Sequence, residues 1–128
     1  MSENISNIAK YVFLLHFITT LIFGVWFFLS PESWVTLTGW PTELASGRLL
    51  GAVLISMAVV SFMGYRATSW KQVELYVTME LVWNLLGTIS LIWSYATMTL
   101  PIAGWLNTGL LALFFILFGY VYYQAKQT

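Results

Sequence analysis

"GLLALFFILFG", Gly109 to Gly119, holds no charged side chain and does not alternate apolar with polar residues. A half-buried strand repeats every two residues and a membrane-barrel strand alternates between lipid and lumen, so this run reads as helix. Extended in both directions it becomes an apolar window from about Ile102 to Tyr123, and three more such windows lie at about Ile8–Leu29, Leu44–Tyr65 and Gln72–Trp93. Each reaches the roughly 20 residues at which a helix crosses about 30 Å of hydrocarbon. The expected fold is therefore all-α: an integral membrane four-helix bundle forming a single domain over residues 1–128.

Composition agrees. The chain has 128 residues, 59% hydrophobic and only 8% charged, with a mean hydropathy of +0.81, whereas soluble domains carry about 25% charged residues. A cleavable leader is the competing reading of the first window. It lacks a compact basic start and a small-x-small site after Leu29, so the window is taken as a helix of the mature protein. The absence of cysteine excludes disulfides and thiolate metal sites. Zero net charge with five bases, Lys10, Arg48, Arg66, Lys71 and Lys126, leaves nothing to neutralise a nucleic-acid backbone. The lipid bilayer is the expected partner.

Four crossings place both termini and the second loop on one side. That side collects Lys10, Arg66, Lys71 and Lys126, which the positive-inside rule assigns to the cytoplasm; a prokaryotic-type plasma membrane is the expected location. Trp26, Trp34, Trp40, Trp93, Tyr95 and Trp105 mark the outer interface, and Tyr11, Tyr65, Trp70, Tyr120, Tyr122 and Tyr123 the inner. In the first outer loop, "SPESWVTLTGWP" predicts a short surface helix with Ser30 as cap, Pro31 in the first turn and Gly39 as the left-handed residue past its end. Thr42 is the expected cap of the second spanning helix, and "SWKQ", Ser69 to Gln72, fits a capping box.

Polar side chains in hydrocarbon cost a few kcal/mol or more, so they tend to face the bundle interior and mark function. His16 stands eight residues into the first window and Glu80 eight into the third, both roughly 12 Å below the inner interface at about 1.5 Å of rise per residue. Glu80, Asn84 and Thr88 share one helical face, and His16, Thr19, Thr20 and Gly24 another. Ser56 is expected at a similar depth, with Phe114 and Phe115 facing it from the fourth helix. His16, Glu80, Asn84, Thr19, Thr20 and Ser56 are thus the candidate proton-handling or ligand-binding residues. The alternative is structural: polar groups that bond one another and hold helices together. Arg48, in "GRLLG", is a separate outer-side candidate, expected to extend outward toward Glu43 or Glu32. Glu74 is expected in solvent near Lys71.

One histidine and one deep glutamate fall short of a metal site, and no catalytic residues are assigned. A haem would need a dimer sharing His16. No phosphate-cradling loop or nucleophile elbow is present, so the chain is not expected to be an enzyme on its own.

"SPESW" closing the first window, an outer-loop "GWP" and then "GRLLGAVLISMAVVSF" resemble the DoxX-like group of small four-helix membrane proteins. In that group a proline-containing first loop precedes a helix opening with Arg-x-x-Gly, here Arg48 to Gly51. The resemblance covers Leu29 to about Met63. It implies a four-helix bundle and, for some members, association as small subunits with quinone-linked oxidoreductase complexes; it gives His16 and Glu80 no role. The expected function is a non-catalytic accessory subunit or a lipid- or quinone-binding module, with other membrane subunits or a second copy as partners. The alternative is a small oligomeric proton-coupled transporter working through Glu80.

Overall fold

The computed structural model describes residues 4–127. Its elements are α1 (Asn7–Leu29), α2 (Pro31–Thr38), α3 (Leu44–Arg66), a 3-10 turn (Trp70–Gln72), α4 (Glu74–Thr97) and α5 (Gly104–Gln127). The four longer helices are each long and apolar enough to cross a membrane. Large apolar residues such as Ile22, Leu49, Leu75, Leu86 and Ile116 point outward, as lipid-facing side chains do. This is an all-α four-helix bundle of the integral membrane type.

The helices begin and end where local chemistry dictates, with two departures from expectation. Ser6 caps α1 by accepting from the Ala9 N–H. Ser30 holds the N-cap position of α2, but its hydroxyl donates to Glu32 Oε1 at 3.3 Å and makes no cap bond; Pro31 opens the helix and Gly39, at φ 73°, closes it. Thr42 does not cap α3. Glu43 does, its two carboxylate oxygens accepting from the Ala45 N–H at 3.0 Å and the Ser46 N–H at 2.7 Å, because a carboxylate offers two acceptors to the free amides where a hydroxyl offers one. Gln72 Oε1 accepts from the Ser69 N–H at 3.2 Å. That capping box organises the 3-10 turn, and α4 starts only at Glu74.

Two helix pairs make up the bundle: α1 packs on α3, and α4 on α5. Glycines bring α1 and α3 into backbone contact. A Cβ at Gly24 would lie 2.9 Å from Ile55 N, and one at Gly51 would overlap the Phe28 backbone and the Gly24 carbonyl. The pairs meet in the half of the bundle that carries Lys10, Arg66, Lys71 and Lys126, hereafter the basic end. There Ala9, Val12, Phe13, Trp70, Val77, Phe114, Phe118 and Val121 form a continuous apolar core. Towards the other end a cleft lies between the pairs. Trp34 of α2 is buried against the α1 rings of Phe23, Trp26 and Phe27, and Trp40 crosses to Tyr95 of α4 at a centroid distance of 6.2 Å.

Candidate functional site

A polar cluster lies where the packed half gives way to the open half. Glu80, Asn84 and His16 are 0%, 1% and 2% exposed, so none of the three can find bulk solvent. His16 Nε2 lies 3.1 Å from Glu80 Oε2. The Asn84 amide nitrogen donates to the same Glu80 oxygen at 3.0 Å and to the Glu80 backbone carbonyl at 2.6 Å. The first bond is the helical i, i+4 pairing legible in the sequence. The second fixes the amide orientation, because a carbonyl accepts and never donates.

The other face of the imidazole completes the cluster. His16 Nδ1 is 2.7 Å from Ser61 Oγ, Ser61 Oγ is 2.7 Å from the Tyr76 hydroxyl, and that hydroxyl donates to the Met57 carbonyl at 3.2 Å. The rings of Phe114 and Phe118 meet the imidazole edge-on, at centroid distances of 4.7 and 5.1 Å, and shield it from α5. The Glu80 carboxyl keeps one oxygen, Oε1, buried with no hydrogen-bond partner among the described residues. Such a group is uncommon in a folded protein; the Trp70 indole nitrogen in the apolar core is another.

The expected residues divide. His16, Glu80 and Asn84 meet, Thr20 donates to the His16 carbonyl at 2.7 Å, and Thr19 donates to the Leu15 carbonyl. Ser56 is not in the cluster. It is exposed on the outside of α3 and donates to the Ala52 carbonyl at 2.9 Å, since the face of α3 that meets α1 carries Gly51, Ala58, Ser61 and Gly64. Ser61 takes its place, and Phe118, rather than Phe115, accompanies Phe114. Tyr76 was not anticipated, although it stands one turn before Glu80 on the same face. The small-residue stripe would have located Ser61. Arg48 is exposed on α3 away from the cluster, with no ion pair among the described residues. Glu74 pairs with Lys126 of α5 at 2.7 Å rather than with Lys71.

Two members of the cluster, His16 and Asn84, line the floor of a cleft of about 260 Å³ between the two helix pairs, and Glu80 lies behind them, bonded to both. Phe23, Phe27, Leu50, Leu54, Trp83 and Leu110 line its walls, and His16, Thr19, Thr20, Asn84, Ser90 and Asn107 supply polar groups. A second hollow of about 230 Å³ adjoins it, sharing Phe27, Trp40, Leu50 and Asn107 and leading to Thr42 and Glu43 at the far end of the bundle.

The floor is polar in a particular sense. The Asn84 amide nitrogen is committed to Glu80, so what Asn84, a lining residue of the cleft, has left to offer a ligand is its acceptor oxygen. Thr19 and Thr20 spend their protons on helix carbonyls and keep acceptor lone pairs. Among the described residues no cluster of three or more metal-ligating side chains occurs.

Fold and site together define a small four-helix membrane bundle with a half-open interior. Compared with protein-family models, curated proteins and solved structures, the chain has no significant match.

Proposed function

We propose that this protein is a membrane-embedded binding module for a lipid-soluble small molecule, held in the cleft with its polar end on the His16 and Asn84 floor, which Glu80 backs. The carrying observation is the cleft itself: apolar walls contributed by all four long helices, ending on the buried polar side chains of His16 and Asn84, the arrangement general to small-molecule sites. An acceptor-rich floor favours a ligand that donates, such as a lipid bearing a hydroxyl on a flat ring. The reduced, quinol form of a quinone has that chemistry, and the DoxX-like resemblance of Leu29–Met63 points to quinone-linked complexes. Within such a complex the chain would act as an accessory subunit. The basic residues at one end support a cytoplasmic placement of that end in a prokaryotic-type plasma membrane.

The test is saturable binding of a short-chain quinol to the purified protein in nanodiscs, compared with its bis-methyl ether. Loss of a hydrogen bond to a buried acceptor is worth about 1–2 kcal/mol, so the quinol should bind roughly tenfold more tightly. Gly87→Leu, whose side chain would meet Leu111 of the adjoining helix and be turned into the cleft that both residues line, should abolish binding of both. Equal binding of quinol and ether, or full binding to the Gly87→Leu protein, would sink the reading.

A second reading, proton-coupled exchange through Glu80, is favoured by one observation: a fully buried carboxyl with one bonded and one unpartnered oxygen. If Glu80→Gln left ion or substrate flux by reconstituted protein unchanged, that reading would be lost.

A further inference from the structure

A groove of about 560 Å³ lies at the basic end between the last turns of α3 and the first turns of α4, lined by Met63, Arg66, Gln72, Val73 and Tyr76 among others. Arg66 and Gln72 are exposed and Tyr76 is half-buried. Tyr76 is the third residue of α4, so its backbone lies only about 3 Å of helical rise from the start of that helix. Its hydroxyl reaches inward to Ser61. Tyr76 therefore belongs both to a groove at the basic end and to the polar cluster beneath the cleft.

The geometry points to a proton relay in which Glu80 exchanges its proton with the basic end through His16, Ser61 and Tyr76. The successive separations are 2.7 Å from Tyr76 to Ser61, 2.7 Å from Ser61 to His16 Nδ1 and 3.1 Å from His16 Nε2 to Glu80 Oε2. All are hydrogen-bond distances. The histidine uses one ring nitrogen on each side, which lets imidazole pass a proton through without turning.

The network is satisfied in two states that differ by one proton. In the first, Tyr76 donates to Ser61, Ser61 donates to His16 Nδ1, and the Nε2–H donates to the Glu80 carboxylate. Transfer breaks each of these O–H and N–H bonds and makes the next: the Tyr76 proton passes to Ser61, the Ser61 proton to Nδ1 and the Nε2 proton to Glu80 Oε2. Tyr76 takes a replacement proton from water in the groove. In the second state the donors are reversed: Glu80 donates to Nε2, Nδ1 to Ser61, Ser61 to Tyr76, and Tyr76 to the Met57 carbonyl, which stands 3.2 Å away. One proton enters from the groove and one is gained by Glu80.

One shortcut lies within the path itself: the Tyr76 hydroxyl also stands 3.3 Å from His16 Nδ1, so Ser61 is the shorter link between them and not an obligatory one. α5 presents Phe114 and Phe118 to the imidazole and no titratable group. α3 contributes Ser61 to the path and Arg66 to the groove, α1 contributes His16, and Asn84 beside Glu80 does not titrate. The relay does not depend on the cleft holding a ligand, so it goes beyond the binding function proposed above.

The experiment is a pH jump on the protein in lipid nanodiscs, with proton uptake by Glu80 followed through its carboxyl infrared band, assigned by its absence in Glu80→Gln. Tyr76→Phe keeps the ring that packs 6.2 Å from Phe13 and deletes only the hydroxyl; Ser61→Ala deletes one oxygen. Tyr76→Phe should slow uptake at least about tenfold, and Ser61→Ala, which leaves the direct Tyr76–His16 contact of 3.3 Å, should slow it less, both with a final band amplitude close to wild type. Leu50→Trp, which narrows the cleft from the other side, should leave the rate unchanged. Wild-type rates in Tyr76→Phe and Ser61→Ala would overturn the relay. So would slowing by Leu50→Trp, which would bring the proton through the cleft, or a Glu80 band that never titrates while the bundle stays folded. If Tyr76→Phe fails to fold, His16→Gln, which takes the titratable ring out of the path, decides: a wild-type rate in it would overturn the relay.

Discussion

Replacing His16 by leucine tests whether the cluster is an energetic unit. The substitution takes a bonded donor from Glu80, leaving its carboxyl only the Asn84 amide, and removes the Nδ1 partner of Ser61. Losing a hydrogen bond to a charged group costs about 1.5–3 kcal/mol, and breaking a fully buried pair from one side costs about 3–5 kcal/mol. In membranes, polar pairs average only about 0.6 and reach about 1.7 kcal/mol, because unfolded helices find other partners. Weighing these, we expect His16→Leu and Glu80→Leu each to cost about 2–4 kcal/mol. The double variant strands nothing: Asn84 keeps the Glu80 backbone carbonyl, and Ser61 and Tyr76 keep each other and Met57. It should therefore be more stable than additivity predicts by about 1.5–2 kcal/mol, within the range for contacting residues. The assay is reversible unfolding in mixed detergent micelles, read by helical circular dichroism. Additive costs, with no coupling, would refute the pair.

Gly51→Ala should destabilise the same transition by about 1–3 kcal/mol, because its methyl meets helix backbone that cannot rotate away, whereas Gly109→Ala, with open space around the new atom, should be neutral or slightly stabilising. Trp34→Ala should cost about 3 kcal/mol by emptying the aromatic cluster under α2, seen as a lower unfolding midpoint. The Glu43 carboxylate is held below its ordinary value of 4.5 first by the Ser46 hydroxyl and then by the Ser46 and Ala45 amides. A depressed folded-state value means that this cap contributes fully above pH 4.5 and is lost as pH falls through the lower folded value. Amide-exchange protection at Ala45 and Ser46 should fall on acidification in wild type and be flat with pH in Glu43→Gln. The Glu74–Lys126 pair is partly exposed, so adding salt should erase any difference between wild type and Lys126→Gln.

The spans were legible because lipid demands long uninterrupted apolar runs, and the structure's boundaries fall within a few residues of the windows. α2 was legible from Pro31 and Gly39, which have few other uses at those positions. The meeting of His16 and Glu80 was open at the level of sequence: depth follows from counting residues, but which faces meet depends on how helices pair. That pairing was carried by glycines. Gly24, Gly51 and Gly64 pull α1 onto α3 and turn Ser61 inward, which is why Ser56, five residues earlier and on another face, lies outside. Tyr76 had no place in the reading of the sequence, and only the geometry gives its hydroxyl a destination. The cleft had no signature in the sequence, since it lies between the two helix pairs and does not arise from any motif.

The most direct test of the central claim, that the cleft delivers a ligand to the buried cluster, is the Glu80 carboxyl band recorded while a short-chain quinol is titrated to saturation. The account predicts a shift in that band that saturates with binding and is absent in both Glu80→Gln and Gly87→Leu proteins. Saturable binding that leaves the Glu80 band unmoved would contradict it.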